Sequence, residues 1–543
     1  MTVLLHSSKD LPSTEAYSHW LAVDGPPPSL DPVRRVKHVA SRLEQGFDNI
    51  RDAWWDIARE LATAPGANLA HTPTCAPFIS DFGQAMSWSI IIEEEASGDN
   101  VVLAICNDPW MFRHFRSLPG VQAGTAPALL TKKVWMTARG FLARCKVSFS
   151  VARAALALRE HKKNKGTSQP ALLVYGHPSS TANGFDAYFG TLMTDCPQLV
   201  RAIHTDCGIQ RAQALSQNNR TFSLHAWGSP LYALCLATTR WRTTPRQRSG
   251  PYGWLVRRAQ EIENASGALA MTRWQNHCQR RWLKETEPSV VSWSWENHPW
   301  ERNFVRAARH VGTRTVGSQD TDVGPHQINM SPASNPDGLV SIPDAIACNG
   351  PAYRNELAAW GMPSDRLKDV GSFRIARFDN QAYQQDGPVF VALSSIPSIS
   401  NEMMAAVRNA CNGQRRFLVK DHPMYPYPFE ETDEIKRTLK TIPNIQGISA
   451  VFFGTGLSGL EGILSGTPTL RLLPSNRIGI DTLPEKCAAV PVTIESLGEV
   501  LDSNPIPPSV NWSELFTRVS LDAWRRVLQL DDVPNTPITD KAI

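Results

Sequence analysis

The sequence predicts an α/β fold: two doubly wound domains facing across a cleft, with an extra helical region at the N-terminus. Three observations predict it. Short apolar runs alternate with helix-period segments from Ala171 to Gly361. The same alternation returns more cleanly from Val389 to Leu501. Between them Asn380–Gly387 is polar and aperiodic, as an interdomain linker should be. The chain of 543 residues is too long for one ordinary domain. It divides into 1–166, 167–380, 387–530 and a fraying tail, 531–543.

Composition narrows the class. Hydrophobic residues make up 42% and charged residues 20%, which marks a globular chain. A formal charge of +4 is too small to indicate a nucleic-acid partner. The 10 cysteines show no Cys-x-x-Cys spacing, so a reduced, cytosolic protein is expected. His277-Cys278 lacks a second pair of metal ligands. The start, Met1–His6, is too short for a signal sequence, and no apolar run approaches the ~20 residues of a spanning helix. The 17 tryptophans suit either core packing or stacking on sugar rings.

Within 1–166, Val36–Leu61 and Phe82–Ala96 have helical spacing and Asn100–Cys106 reads as a strand. Leu130–Lys165 is rich in Lys and Arg among apolar residues and holds one acid, Glu160. It is either a solvated face on packed helices or a helix resting on an anionic membrane surface, the inner membrane for a cytosolic protein.

In the second domain, Ala171–Tyr175 is a buried strand ending in Gly176-His-Pro-Ser-Ser-Thr181, followed by Asp186-Ala-Tyr-Phe-Gly190 and a helix. Val200–Thr205, Thr221–Ala226, Val290–Trp295, Thr313–Gly317 and Ile342–Cys348 are further strands. Asn303–His310 and Ala352–Trp360 are helices, the second closed by Gly361. The polar loop Ser318–Gly338 is functional or mobile. In the third domain the strands are Val389–Leu393, Arg416–Lys420, Ala450–Phe453 and Thr469–Leu473. The helices are Glu402–Cys411, Glu430–Lys440, Leu457–Leu464, Glu495–Leu501 and an amphipathic Trp512–Leu530.

Two motifs carry chemistry. Gly454-Thr-Gly-Leu-Ser-Gly459 matches G-x-G-x-x-G between a strand and a helix. Gly454 and Gly456 let the backbone approach a phosphate, and Thr455 and Ser458 add hydroxyl donors. A dinucleotide enzyme is not the reading, because the turn sits late in its domain and the acid expected about twenty residues on is missing. Lys420-Asp-His-Pro423 ends a strand of the same sheet, and open α/β sheets bind ligands outside that end. Lys420 and His422 can face the same phosphate, and Pro423 stiffens their turn. Glu461 can accept from a ribose or compensate the helix dipole.

These segments resemble the donor-binding half of GT-B glycosyltransferases. Gly-Thr-Gly-Leu-Ser-Gly-Leu-Glu-Gly-Ile-Leu-Ser-Gly-Thr-Pro468 carries the likeness, and Lys-Asp-His-Pro423 resembles the His-Pro motif of enzymes that use CMP-sialic acid or CMP-Kdo. Upstream, Trp295-Glu-Asn-His-Pro-Trp-Glu301, Asp186-Ala-Tyr-Phe-Gly190 and Pro343-Asp-Ala-Ile346 through Val370-Gly-Ser-Phe-Arg374 are similar to bacterial surface-carbohydrate (O-antigen and capsule) biosynthesis proteins. Such proteins often carry Gln-His after the strand beyond the tryptophan string. Here Gln319 precedes Asp320, and His326 is a loose substitute.

The resemblance implies metal-independent, inverting transfer of a sugar from a nucleotide donor, with a CMP-sugar favoured, to a glycan or glycolipid acceptor. His422, Thr455 and Ser458 would hold the donor phosphate. No metal is expected, although Asp320-Thr-Asp322 has the letters of a metal-binding pair. The base should come from the other domain, where Glu296, Asp186 and Glu301 are candidates. Arg374, near the linker, can reach the donor or form a structural ion pair. Two other classes fit the same features: a nucleotide-sugar epimerase and a non-catalytic glycan-assembly protein.

Overall fold

The computed structural model describes residues 3–25, 30–63, 75–77, 79–162, 167–319, 324–374, 383–423, 425–445, 447–484 and 487–530. Asp320, Asp322, Lys163, Lys165 and the tail 531–543 lie outside them.

Strands of the second domain read as unbroken buried runs, such as Ala171–Val174 and Ala345–Cys348. Such runs belong to parallel sheets covered on both faces. Seven of them form one sheet, all neighbours parallel. Counted within the domain, their order is 3-2-1-4-5-6-7, with Ala171–Val174 as strand 1 and Val290–Ser294 as strand 4. The third domain repeats the order as 3-2-1-4-5-6, with Val389–Ala392 as strand 1 and Ala450–Phe453 as strand 4. Both orders are those of Rossmann-type domains, and the two-domain architecture is the one expected of a GT-B-like chain. In each sheet the order reverses between strands 1 and 4, and the loops leaving those strands diverge there.

The N-terminal region is not only helical. Val3–His6, His19–Ala22, Val102–Ile105 and Val121–Ala123 form a third parallel sheet, ordered second-third-first-fourth along the chain. Helices cover it, and the predicted Val36–Leu61 helix divides at Ile50 into Val39–Asn49 and Arg51–Ala62. This region braces both others. Arg258 of the second domain grips Asp81 at 2.6 Å and Asp108 at 2.8 Å. Arg471 of the third domain pairs with Glu44 at 2.8 Å. The basic segment is one helix, Leu129–Ala157.

Two helical expectations fail. Within Glu430–Lys440 the chain forms the edge strand Ile435–Arg437, paired in parallel with Phe417–Lys420. Burial of Ile435 against that sheet overrides the helix-forming charges around it. Trp512–Leu530 is broken into Trp512–Leu515 and Leu521–Val527. Between them Thr517 N–H donates to Asn349 and Ser520 N–H to Val370, so the backbone is claimed by the second domain. Gly350 admits this approach, because a Cβ there would lie 2.4 Å from Phe516 Cα. Trp524 then packs edge-on against Phe189 and near Phe373, closing the chain onto the second sheet.

Candidate active site

Strand ends bring the chemistry together. In the second domain, strand 1 leads into His177 and strand 4 into Glu296. Ser179 N–H donates to His177 Nδ1 at 3.1 Å, so a neutral ring carries its proton on Nε2. Tyr188 meets the His177 ring edge-on at 5.8 Å, and the Arg374 guanidinium sits over Tyr188 at 5.4 Å.

Glu296 owes its position to the tryptophan string. Asn297 turns the chain at a φ of 54°, a conformation Asn tolerates, and its amide donates to Asn329 and Asn335. Glu301, in the first turn of the helix Pro299–His310, reaches back. Its carboxylate accepts from Glu296 N–H at 3.0 Å and His298 N–H at 3.3 Å. Burial first, and then the Glu296 charge, hold the Glu301 carboxyl well above the usual range. The Glu296 carboxylate, one-fifth exposed, lies 3.3 Å from His298 Nε2.

In the third domain the loops leaving strands 1 and 4 carry Ser394 and the Gly454–Gly459 turn, and the loop leaving strand 2, Phe417–Lys420, carries the His422 turn. Ser394 and Thr455 hydroxyls share a hydrogen bond of 2.7 Å. Asp421 accepts from Tyr427 N–H at 3.2 Å and pairs with Arg437, which fixes the turn beneath His422. Gly456 has a φ of 93° and open space where a Cβ would stand.

One cavity of about 390 Å³ is lined from both sheets. Lys420, His422, Pro423, Thr455, Gly456, Ser458 and Glu461 face it from the third domain. His177, Tyr188, Glu296, Gln327 and Arg374 face it from the second. Three expected site residues are not on its wall. Glu301 is the buried brace just described. Asp186 is buried in its own turn, accepting from Tyr188 N–H at 3.0 Å and Ser180 Oγ at 3.1 Å. Gly454 is a packing glycine, since a Cβ there would meet Ile399 at 2.5 Å and Met403 sulfur at 3.0 Å. His177 and Tyr188 were not anticipated. The available signal was a repeated pattern, strand then His-Pro, at His177-Pro178, His298-Pro299 and His422-Pro423.

The cavity is electrostatically mixed. Burial lowers the Lys420 pKa, partly offset by Glu461. Burial raises that of Glu461, opposed by Lys420 and Arg374. Both His177 and His422 are pushed down by burial and then by the Arg374 charge, and His422 is lowered further by His177. An entering anion would reverse these cationic repulsions. Among the described residues no three His, Cys, Asp or Glu side chains group closely enough to hold a metal ion. A second cavity, about 520 Å³, lies between residues 32–41 and 473–495. It is larger, yet it draws on neither switch point, and the strand-end chemistry is in the first.

No family model and no curated protein matches the sequence. Solved structures give low similarity. A UDP-GlcNAc 2-epimerase from Methanocaldococcus jannaschii has 10% identity and a TM-score of 0.37 over 66% of this chain and 99% of its own. Anabaena HepE in complex with UDP and glucose has 10% identity and a TM-score of 0.36 over 68% and 100%. The glycosyltransferase SnogD from Streptomyces nogalater has 11% identity and a TM-score of 0.34 over 67% and 95%. The fold assignment stands on the two strand orders.

Proposed function

We propose that the cleft binds a nucleotide-activated sugar and transfers the sugar, with inversion, to an acceptor hydroxyl. One observation carries this reading: a carboxylate, Glu296, from the second domain and basic and hydroxyl side chains, Lys420, His422, Thr455 and Ser458, from the third line one cavity. Lys420, His422, Thr455 and Ser458 hold the donor phosphate, and Glu461 accepts from the ribose. Glu296 takes the acceptor proton as the acceptor oxygen attacks the anomeric carbon. The bond from that carbon to the phosphate oxygen breaks, and the charge lands on the phosphate, where Lys420, His422 and Arg374 stabilise it. The scheme needs no metal. We favour a CMP-activated ulosonic acid as donor, on the His-Pro resemblance, and a bacterial surface glycan or glycolipid as acceptor.

Thermal-shift titration with CMP, UDP and GDP tests the nucleotide. CMP should give the largest shift, and His422→Ala should abolish it. A silent response to all three nucleotides would remove the donor site. Interconversion of free nucleotide sugars without any acceptor would replace transfer by epimerisation.

A further inference from the structure

The helix Leu129–Ala157 buries one face and leaves the other bare. Met136, Gly140, Arg144, Ser148, Val151 and Ala155 are buried against the neighbouring helices. On the opposite face Trp135, Leu142, Phe149 and Leu156 are 54%, 67%, 74% and 58% exposed. They stand seven residues apart. Seven residues of α-helix drift by only ~20°, so these side chains form a nearly straight row. Lys132, Arg139, Lys146 and Arg153 are also seven apart and all exposed. Each precedes an apolar row member by three residues, which places the basic row about 60° around the helix. The helix contains no Asp or Glu. Leu231 and Leu234, on the packed helix Pro230–Leu234, add exposed apolar surface at 78% and 68%.

We propose that this face docks on an anionic lipid bilayer. Large apolar side chains exposed singly need no explanation, but here they are aligned in one row on one helix face. A second copy of the chain is a poor occupant, because pairing would oppose two basic rows with no acid on the helix to neutralise them. A bilayer bearing anionic headgroups satisfies both rows at once. Trp135, Leu142, Phe149 and Leu156 enter the headgroup–acyl boundary, and the basic row meets the lipid charges. No helix among the described residues is long and apolar enough to cross a membrane, so the contact is interfacial. Docking by this face is independent of what the cleft binds.

The test is flotation of the full chain with vesicles of phosphatidylcholine alone or mixed with phosphatidylglycerol. The protein should float with the anionic vesicles, weaken as salt is added, and stay behind with the neutral ones. Reversal of Lys132, Arg139, Lys146 and Arg153 to Glu should lower affinity about tenfold or more. Trp135→Ser with Phe149→Ser should do the same by removing the apolar row. All six side chains are exposed, and an unchanged melting temperature confirms that both variants fold. Absence of wild-type flotation, equal flotation with neutral vesicles, or wild-type behaviour of both variants would overturn the proposal. So would a dimer seen by light scattering that Trp135→Ser and Phe149→Ser dissociate, with no vesicle binding.

Discussion

Ser394 and Thr455 join hydroxyl to hydroxyl at 2.7 Å across the point where the strand order of the third domain reverses. Their loops leave adjacent parallel strands, Val389–Ala392 and Ala450–Phe453, and would otherwise part. The Ser394 Oγ also accepts from Ile396 N–H at 3.1 Å, so it is anchored before it meets Thr455. Thr455 is therefore pre-oriented toward the cavity. Thr455→Val should weaken nucleotide binding about tenfold, the value of one hydrogen bond to a charged group. Ser394→Ala should weaken it less, through lost orientation alone. Isothermal titration with CMP ranks the two, and a larger loss at Ser394 would contradict this order.

The two cavity histidines set a pH dependence. Burial and the Arg374 charge hold His177 and His422 below their ordinary pKa, so both rings are neutral in the empty cleft near neutral pH. A phosphate favours the protonated rings. Binding then takes up protons, and affinity should rise as pH falls from about 8 toward 6, by up to about tenfold per unit for each ring. His177→Ala, which keeps the His422 ring, should flatten the slope. An affinity that rises with pH would exclude His422 as a phosphate ligand and proton uptake by either ring.

Glu296 and Glu301 belong to one string but carry different loads. Glu296→Gln should cut turnover by roughly 10²–10⁴ while nucleotide affinity stays unchanged. Glu301→Ala removes the acceptor of two backbone N–H groups and should cost about 1–3 kcal/mol of stability per group left unpaired. Thermal melts beside transfer kinetics separate the roles. Should Glu301→Ala melt like wild type and still lose turnover, Glu301 would be chemical and the assignment of Glu296 would fail.

How much of this was legible follows from what is local. Strand ends, the His422 turn and the Thr455 turn are written in contiguous residues, and periodicity exposes them. Strand order is not, because a strand's neighbours come from elsewhere in the chain. Residues 435–437 read as helix for this reason, since only the sheet edge at Phe417 makes them a strand. Gly454 and Gly456 look alike in the motif. Their difference, a packed Cβ position at one and a φ of 93° at the other, exists only in three dimensions. Asp186 and Glu301 looked like bases because a carboxylate beside a strand end reads the same whether it faces the cleft or caps its own turn. His177 is the reverse case: its His-Pro repeats the pattern at His422, but its strand lies about 245 residues earlier, and the switch points had first to be placed opposite each other.

His204 should make the fold acid-sensitive. The ring is fully buried, and among the described residues neither nitrogen has a hydrogen-bond partner. It stacks on Tyr175 at 4.6 Å and meets Trp300 edge-on at 4.8 Å, so its ring contacts are aromatic. Burial alone pushes its pKa from 6.5 to about 3. The unfolded chain thus binds a proton below 6.5 that the folded chain refuses until about 3. Stability is full above 6.5 and falls as pH drops through that window. At pH 5 the loss from this ring is about 2 kcal/mol, one and a half pKa units at about 1.4 kcal/mol each. His225 and His326, both held at about 4 by burial, add losses of the same sign. Melting temperatures measured from about pH 7.5 to 5 should fall, and His204→Phe, which keeps a ring in the stack, should make the decline shallower. Parallel curves for the two proteins would show that His204 is protonated at no cost, and would refute its burial as a neutral ring.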